Sequence, residues 1–383
     1  MTPAFGIYIH WPFCQSKCPY CDFNSLVAAG IDQEKWRNAY LAELNHYASD
    51  TADRAVTSVF FGGGTPSLMD KTTVAAVIDR IAALWPVSPE LEITAEANPS
   101  SAEVAVFEGF NAAGVNRLSI GAQSFNDRTL SFLGRLHGAE EAKNTLEAAS
   151  RIFDRVSFDL IYAHPGQSAE NWRQELIDSL QFASELNIGH VSLYQLTIEP
   201  GTNFHRDRMA PADDEIGGQL FEITQEITEK NGYPAYEISN HAWPGQECRH
   251  NLVYWRGEDY IGIGPGAHGR LTTDFITETT LCHRAPEKWL DAVQSTGAAC
   301  QKRQKLTGEE RFEEIVLMGL RLKEGLSQQR FRQLTGQSLF GKFDRDNLQF
   351  LEKEGFLEIS DDYIRATSTG LQRLNAILDR LLN

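Results

Sequence analysis

A chain of 383 residues, 42% hydrophobic and 23% charged, is long enough for a large buried core and two or three domains. Its 35 basic and 52 acidic residues leave a formal charge of −17, which repels phosphate backbones and argues against nucleic acid as a partner. Six cysteines are too few for a disulfide scaffold, no run has the length of a membrane span, and Met1–His10 lacks the basic start and apolar core of a signal peptide. The expectation is a cytoplasmic protein that is not an integral membrane protein.

In chain order, Gly6–His10 reads as a buried strand, followed by a cysteine-bearing loop and a helix over Gln33–Tyr47. Strands are predicted at Val56–Phe61, Leu91–Ala95, Val115–Ile120, Val156–Ile161 and His190–Leu196. Helices fall between them at Thr72–Leu84, Ala102–Ala113, Ala139–Arg151 and Ala169–Leu186. Alternation of this kind predicts βαβ crossovers and a parallel sheet. Six units rather than eight predict a partial (β/α)6 barrel over 1–210, with ligands at the C-terminal ends of its strands.

The segment 211–300 reads as an irregular extension with a helix near Asp214–Lys230 and a short β run at Tyr260–Gly264. Composition changes again over 301–383. Helices at Glu309–Leu322, Gln328–Leu334 and Leu348–Glu354 precede a hairpin of Phe356–Ile359 with Tyr363–Ala366 and a closing helix at Thr369–Leu382. That order resembles a winged-helix module, expected in so acidic a chain to pack or dock rather than to read DNA.

Cys14-x-x-x-Cys18-x-x-Cys21 directly follows the first strand. Three thiolates on one short loop can each ligate an iron of a [4Fe–4S] cube and leave the fourth iron open, whereas zinc sites favour paired C-x-x-C units absent here. Gly62-Gly63-Gly64-Thr65-Pro66 follows the second strand. Taken alone, it is a tight turn or a loop whose backbone can approach a ligand closely.

The cysteine spacing, with Tyr20 before the last thiol, resembles the radical S-adenosylmethionine (SAM) superfamily. That likeness implies SAM on the open iron and its reductive cleavage to a 5′-deoxyadenosyl radical. Tyr8-Ile9-His10, Gly62–Pro66, Glu96-Ala97-Asn98-Pro99, Ser119–Phe125 and Asp159–Tyr162 occur in order. Together they resemble the oxygen-independent coproporphyrinogen-III oxidase family over nearly the whole chain. The resemblance implies Tyr8, Tyr20, Gly63, Gly64, Thr65, Glu96, Gln123, Arg135 and Asp159 as the SAM pocket. Arg135 could pair a carboxylate through its planar fork, while Glu96, Gln123 and Asp159 can accept from amino or hydroxyl groups.

One position departs from the oxidases, which carry a fourth cysteine two residues beyond the third; here Cys21-Asp22-Phe23 places phenylalanine there. The departure is similar to that of the sister group, the HemW-type haem chaperones, as is the H-N-x-x-Y-W pattern at His250–Trp255. On this resemblance His250 is the haem ligand, with Tyr254 and Trp255 offering flat faces to a porphyrin; a hydrogen-bonded loop histidine beside core aromatics is the alternative. Cys248 could be a second haem-proximal ligand or a buried thiol, Cys282 and Cys300 suggest only structure, and His268 lies near a ligand mouth or in an incidental turn. The implied function is haem delivery to recipient haem proteins such as respiratory enzymes, with a homodimer suggested by the family. The alternative is an enzyme that decarboxylates coproporphyrinogen III oxidatively to protoporphyrinogen IX.

Overall fold

A computed structural model describes residues 3–28 and 30–382. Met1 and Thr2 of the leader reading, and Asn383 of the C-terminal segment, lie outside the described residues. Strand β1, Phe5–Trp11, is apolar and buried on both faces, as an interior strand of a parallel sheet must be. Strands β2 (Val56–Gly63), β3 (Val87–Ala97), β4 (Arg117–Gln123), β5 (Arg155–Tyr162) and β6 (His190–Gln195) follow it in parallel. These are the six expected barrel strands, each running one to four residues beyond its predicted ends or stopping one or two residues inside them.

Helix α1, Gln33–Thr51, starts at an Asp32 side chain that accepts from Lys35 N. It buries Trp36, Tyr40, Leu44 and Tyr47, spaced along one face, into the main core. Helices Lys71–Leu84, Ser101–Ala112, Ala139–Ile152 and Ala169–Glu185 fill the other crossovers. Their apolar faces share one core with the inner strands.

The segment expected to be an irregular extension instead completes the sheet. Strand β7 (Asn240–Ala242) closes one edge antiparallel to β6, and β8 (Asp259–Ile263) pairs in parallel with β1. Strands β9 (His268–Thr273), β10 (Ile276–Cys282) and β11 (Cys300–Lys305) carry the sheet outward antiparallel, giving the order β11-β10-β9-β8-β1-β2-β3-β4-β5-β6-β7. The boundary expected at 210 is therefore no boundary of the sheet. Gly262, Gly264, Gly266 and Gly269 interrupt the hydrophobic pattern, and β11 (Cys-Gln-Lys-Arg-Gln-Lys) is a polar, solvent-facing edge. Neither offers the alternation that marks a half-buried strand.

The C-terminal segment has its own core of Phe312, Ile315, Val316, Phe331, Leu348, Leu351, Ile377 and neighbours. A Thr307–Glu310 capping box opens its first helix, Gly308–Gly319. Helices Gln328–Thr335, Arg345–Lys353 and Leu374–Leu382 surround a small sheet of Leu326–Ser327, Tyr363–Ala366 and Leu357–Ile359. Among the described residues no helix is long and apolar enough to cross a membrane.

Candidate functional site: two adjoining cavities

Parallel register gathers the motifs at one end of the sheet. Trp11 lies beside Gly63, Ala97 beside Ile120, Gln123 beside Leu160 and Tyr162 beside Gln195. A cavity of about 460 Å³ opens there, lined by Cys14, Cys18, Tyr20, Cys21, Gly63, Gly64, Thr65, Glu96, Gln123, Arg135 and Asp159 among others. Eleven of the thirteen residues singled out from the sequence thus share one wall. Tyr8 and His250 do not.

The glycine-rich loop is tied to the cysteine loop by backbone bonds, Gly64 N to Trp11 O at 2.6 Å and Thr65 N to Phe13 O at 2.8 Å. A Cβ at Gly64 would stand 2.5 Å from Phe13 O, and one at Gly63 (φ 111°) 2.5 Å from His10 Cε1. Close approach of protein to protein already requires both glycines. Gly63 N–H donates to Glu96 Oε2 at 3.1 Å. Burial, reinforced by the nearby charge of Asp159, pushes Glu96 up to about 8; burial also raises Asp159 to about 6, against the Ser192 hydroxyl and the Arg117 and Arg135 charges. Burial therefore favours the protonated form of both carboxyls, Glu96 more than Asp159.

Asn98, within the Glu96–Pro99 motif, joins three segments. It donates to Thr65 Oγ1 at 3.0 Å and accepts from Arg135 Nη2 at 2.7 Å. Arg135 Nη2 also donates to Gly121 O at 2.9 Å, and Nη1 reaches Cys18 Sγ at 3.3 Å. With both Nη2 donors taken by protein, the expected two-pronged fork is not open to a carboxylate. Nε–H is buried and without a protein partner.

A second cavity of about 740 Å³ adjoins the first and shares Phe23, Gly63, Glu96 and Tyr194 with it. Tyr8, Tyr254, Trp255 and Tyr260 supply aromatic walls, His268 an exposed imidazole, and Met318 a thioether from the C-terminal segment. Tyr8 belongs here rather than to the cysteine cavity. Its hydroxyl lies 3.1 Å from His10 Nδ1, and His10 Nε2 lies 2.9 Å from Asn24 O. A carbonyl only accepts, so Nε2 carries the proton and Nδ1 accepts from Tyr8. Asn24 Nδ2 donates onward to Pro265 O at 2.9 Å and Arg284 O at 3.0 Å, clamping the cysteine loop to the added strands.

His250, expected as a haem ligand, is not among the residues lining either cavity. It is 1% exposed, with Nδ1 2.9 Å from Ser58 Oγ and Nε2 2.7 Å from Tyr254 Oη. Its ring stacks on Phe60, and burial pushes its pKa down to about 3, leaving a neutral imidazole. Tyr254, its partner, lies on the cavity wall with Asn251 and Trp255 of the same motif. Cys248 is sealed against Glu92, 3.5 Å from Oε1, with burial holding its thiol up at about 12. Cys282 is equally buried, against Glu43.

Comparison with known proteins places this arrangement. Residues 8–179 match the Radical SAM superfamily and residues 306–373 the HemN C-terminal domain. The haem chaperone HemW of Escherichia coli K12 is 37% identical over 383 residues, covering 99% of this chain and 98% of the relative. The chain belongs to the radical SAM superfamily, in the family of the HemW haem chaperones. Mitochondrial radical S-adenosyl methionine domain-containing protein 1 of Bos taurus is 36% identical over 400 residues, covering 100% of this chain and 89% of that protein. The solved structure of coproporphyrinogen III oxidase (HemN) from Escherichia coli superposes with a TM-score of 0.80 at 23% identity, covering 99% of this chain and 90% of that one. That likeness establishes the shared fold.

Radical SAM membership implies a [4Fe–4S] cluster and SAM, and the first cavity fits both. Its three thiols are free rather than paired in disulfides, and Arg135 Nε–H waits there for an acceptor. Among the described residues no three His, Cys, Asp or Glu side chains converge on one metal-ion position. A cube that takes one thiolate on each of three irons requires no such convergence.

Proposed function

We propose that this protein binds haem in the aromatic cavity and passes it to recipient haem proteins such as respiratory enzymes, with the cluster and SAM held in the adjoining cavity. The observation that carries this reading is the second cavity itself. It is walled by Tyr254 and Trp255 of the H-N-x-x-Y-W segment and by Tyr8 and Tyr260, flat apolar faces suited to a porphyrin. The relatives named haem chaperone HemW support it. So does Phe23, 57% exposed on the wall common to both cavities, where the oxidases carry a fourth cysteine.

Cys14, Cys18 and Cys21 are the proposed cluster ligands. Tyr20, Gly63, Gly64, Thr65, Glu96, Gln123, Arg135 and Asp159 are the proposed SAM contacts. When bound, the cluster supplies an electron and SAM a site of reductive cleavage. The protein's part is positional. Glu96 and Asp159 both present buried carboxyls to the cavity, Arg135 keeps an Nε–H without a protein partner, and Asn98 fixes Arg135 and Thr65 together. Tyr8 shapes the haem cavity, and His250 serves that site from behind by holding the Tyr254 hydroxyl. A homodimer remains part of the proposal on family grounds.

The test is functional. Haem-loaded protein should restore activity to a respiratory enzyme prepared without haem, while reduced, SAM-supplied protein should leave coproporphyrinogen III unconverted under anaerobic conditions. Efficient decarboxylation with no transfer of haem would replace the chaperone reading by the oxidase one.

A further inference from the structure

A guanidinium carries five N–H donors, and in Arg135 three are already committed. Both Nη2 donors go to fixed acceptors, Asn98 Oδ1 and Gly121 O, and Nη1 reaches Cys18 Sγ at 3.3 Å. The turn that carries Arg135 is pressed onto the cysteine loop: a Cβ at Gly134 (φ 65°) would stand 2.6 Å from Pro19 Cδ. The Tyr20 phenol lies against the same thiol and the same guanidinium. Arg135 is therefore held, from two sides, with a cationic N–H aimed at one cysteine of the cluster loop. That geometry needs no SAM to explain it.

We propose that Arg135 is a tuning residue of the iron–sulfur cluster: its N–H···S bond to Cys18 raises the cluster's reduction potential. Reduction adds one negative charge to the cluster and its thiolates. A half-buried cation donating to one of those sulfurs stabilises the reduced state more than the oxidised one, and hydrogen bonds to sulfur are among the levers that set such potentials. Asn98 is the positioning residue, since its Oδ1 and Gly121 O leave Nη2 no freedom to rotate Nη1 away. Nε–H, on the same plane, is buried and has no protein partner. The inference rests on the cluster assignment and is independent of the haem reading.

The test is a redox titration of the reconstituted full chain without SAM, followed by electron paramagnetic resonance, with iron per chain measured in parallel. Arg135→Gln should move the midpoint to a more negative potential at unchanged iron content. Arg135→Lys should fall between it and the wild type, and Asn98→Leu should shift the same way by less. In the wild type, exchange into deuterium oxide should shift an Fe–S(Cys) stretch in the resonance Raman spectrum. That measurement and the Asn98→Leu midpoint decide the matter if Arg135 variants assemble no cluster. An unchanged midpoint in fully loaded Arg135→Gln, or no deuterium shift in the wild type, overturns the proposal. A wild type that takes up no cluster overturns the cluster assignment beneath it.

Discussion

Cys14, Cys18 and Cys21 line one cavity because β1 ends at Trp11 and the loop after it folds back against Gly64 and Thr65. Replacing any one with alanine should abolish a reconstituted [4Fe–4S] signal, whereas alanine at Cys248, Cys282 or Cys300 should leave about four irons per chain, as one cube requires. Iron analysis with electron paramagnetic resonance decides between these outcomes. The grouping of these three thiols in one cavity was legible in the sequence because they sit on one short loop. The environment of His250 was not, because Ser58, which fixes its Nδ1, lies 192 residues away on another strand. That environment predicts a pH effect. The imidazole is neutral in the fold with a pKa near 3 and titrates near 6.5 when unfolded, so the unfolded state binds the extra proton between those values. Its contribution to stability is complete above pH 6.5 and is lost as pH falls toward 3, by about 2 kcal/mol between pH 6.5 and 5. Denaturant midpoints over that range should fall less steeply in His250→Asn than in the wild type; equal slopes would contradict the buried neutral imidazole.

At the scale of elements, the glycine-rich loop shows how a correct motif can carry an incomplete reason. From sequence, its glycines were a tight turn or a ligand approach; in the fold they let β2 cross the cysteine loop at backbone distance. Gly64→Ala should cost about 1–3 kcal/mol, since the Cβ meets a backbone carbonyl that cannot rotate away. Chemical denaturation of the metal-free protein measures it, and an unchanged midpoint would mean that the loop yields freely. The helices and the six parallel strands were readable because apolar β runs and longer helical stretches alternate regularly along the chain. Strands β9 to β11 were not, because glycines cut β8 and β9 short and the outer edge is polar. The Asn24 clamp that joins the cysteine loop to those strands spans more than 240 residues and leaves no local signal.

Across the whole molecule, the aromatic cavity draws on segments far apart in the chain: Tyr8 at the start, Tyr254 to Tyr260 in the middle and Met318 in the C-terminal segment. The resemblance pointed to the His250–Trp255 segment, but only the folded chain shows Tyr254 and Trp255 on the cavity wall and His250 behind it. It also shows why the C-terminal segment cannot be treated as a detached module: Arg256, directly after the His250–Trp255 segment, meets Glu324 at 2.9 Å and Arg270 of β9 meets Glu314 at 2.7 Å. The most direct measurement of the central claim is a haem titration of the cluster-loaded protein, read at the Soret band, for the wild type and Trp255→Ala. The account predicts saturable binding of haem in the wild type and at least tenfold weaker binding in Trp255→Ala with its iron–sulfur content unchanged, a loss of about 1.4 kcal/mol or more. Absence of saturable binding in the wild type, or equal affinity in the two proteins, would contradict it.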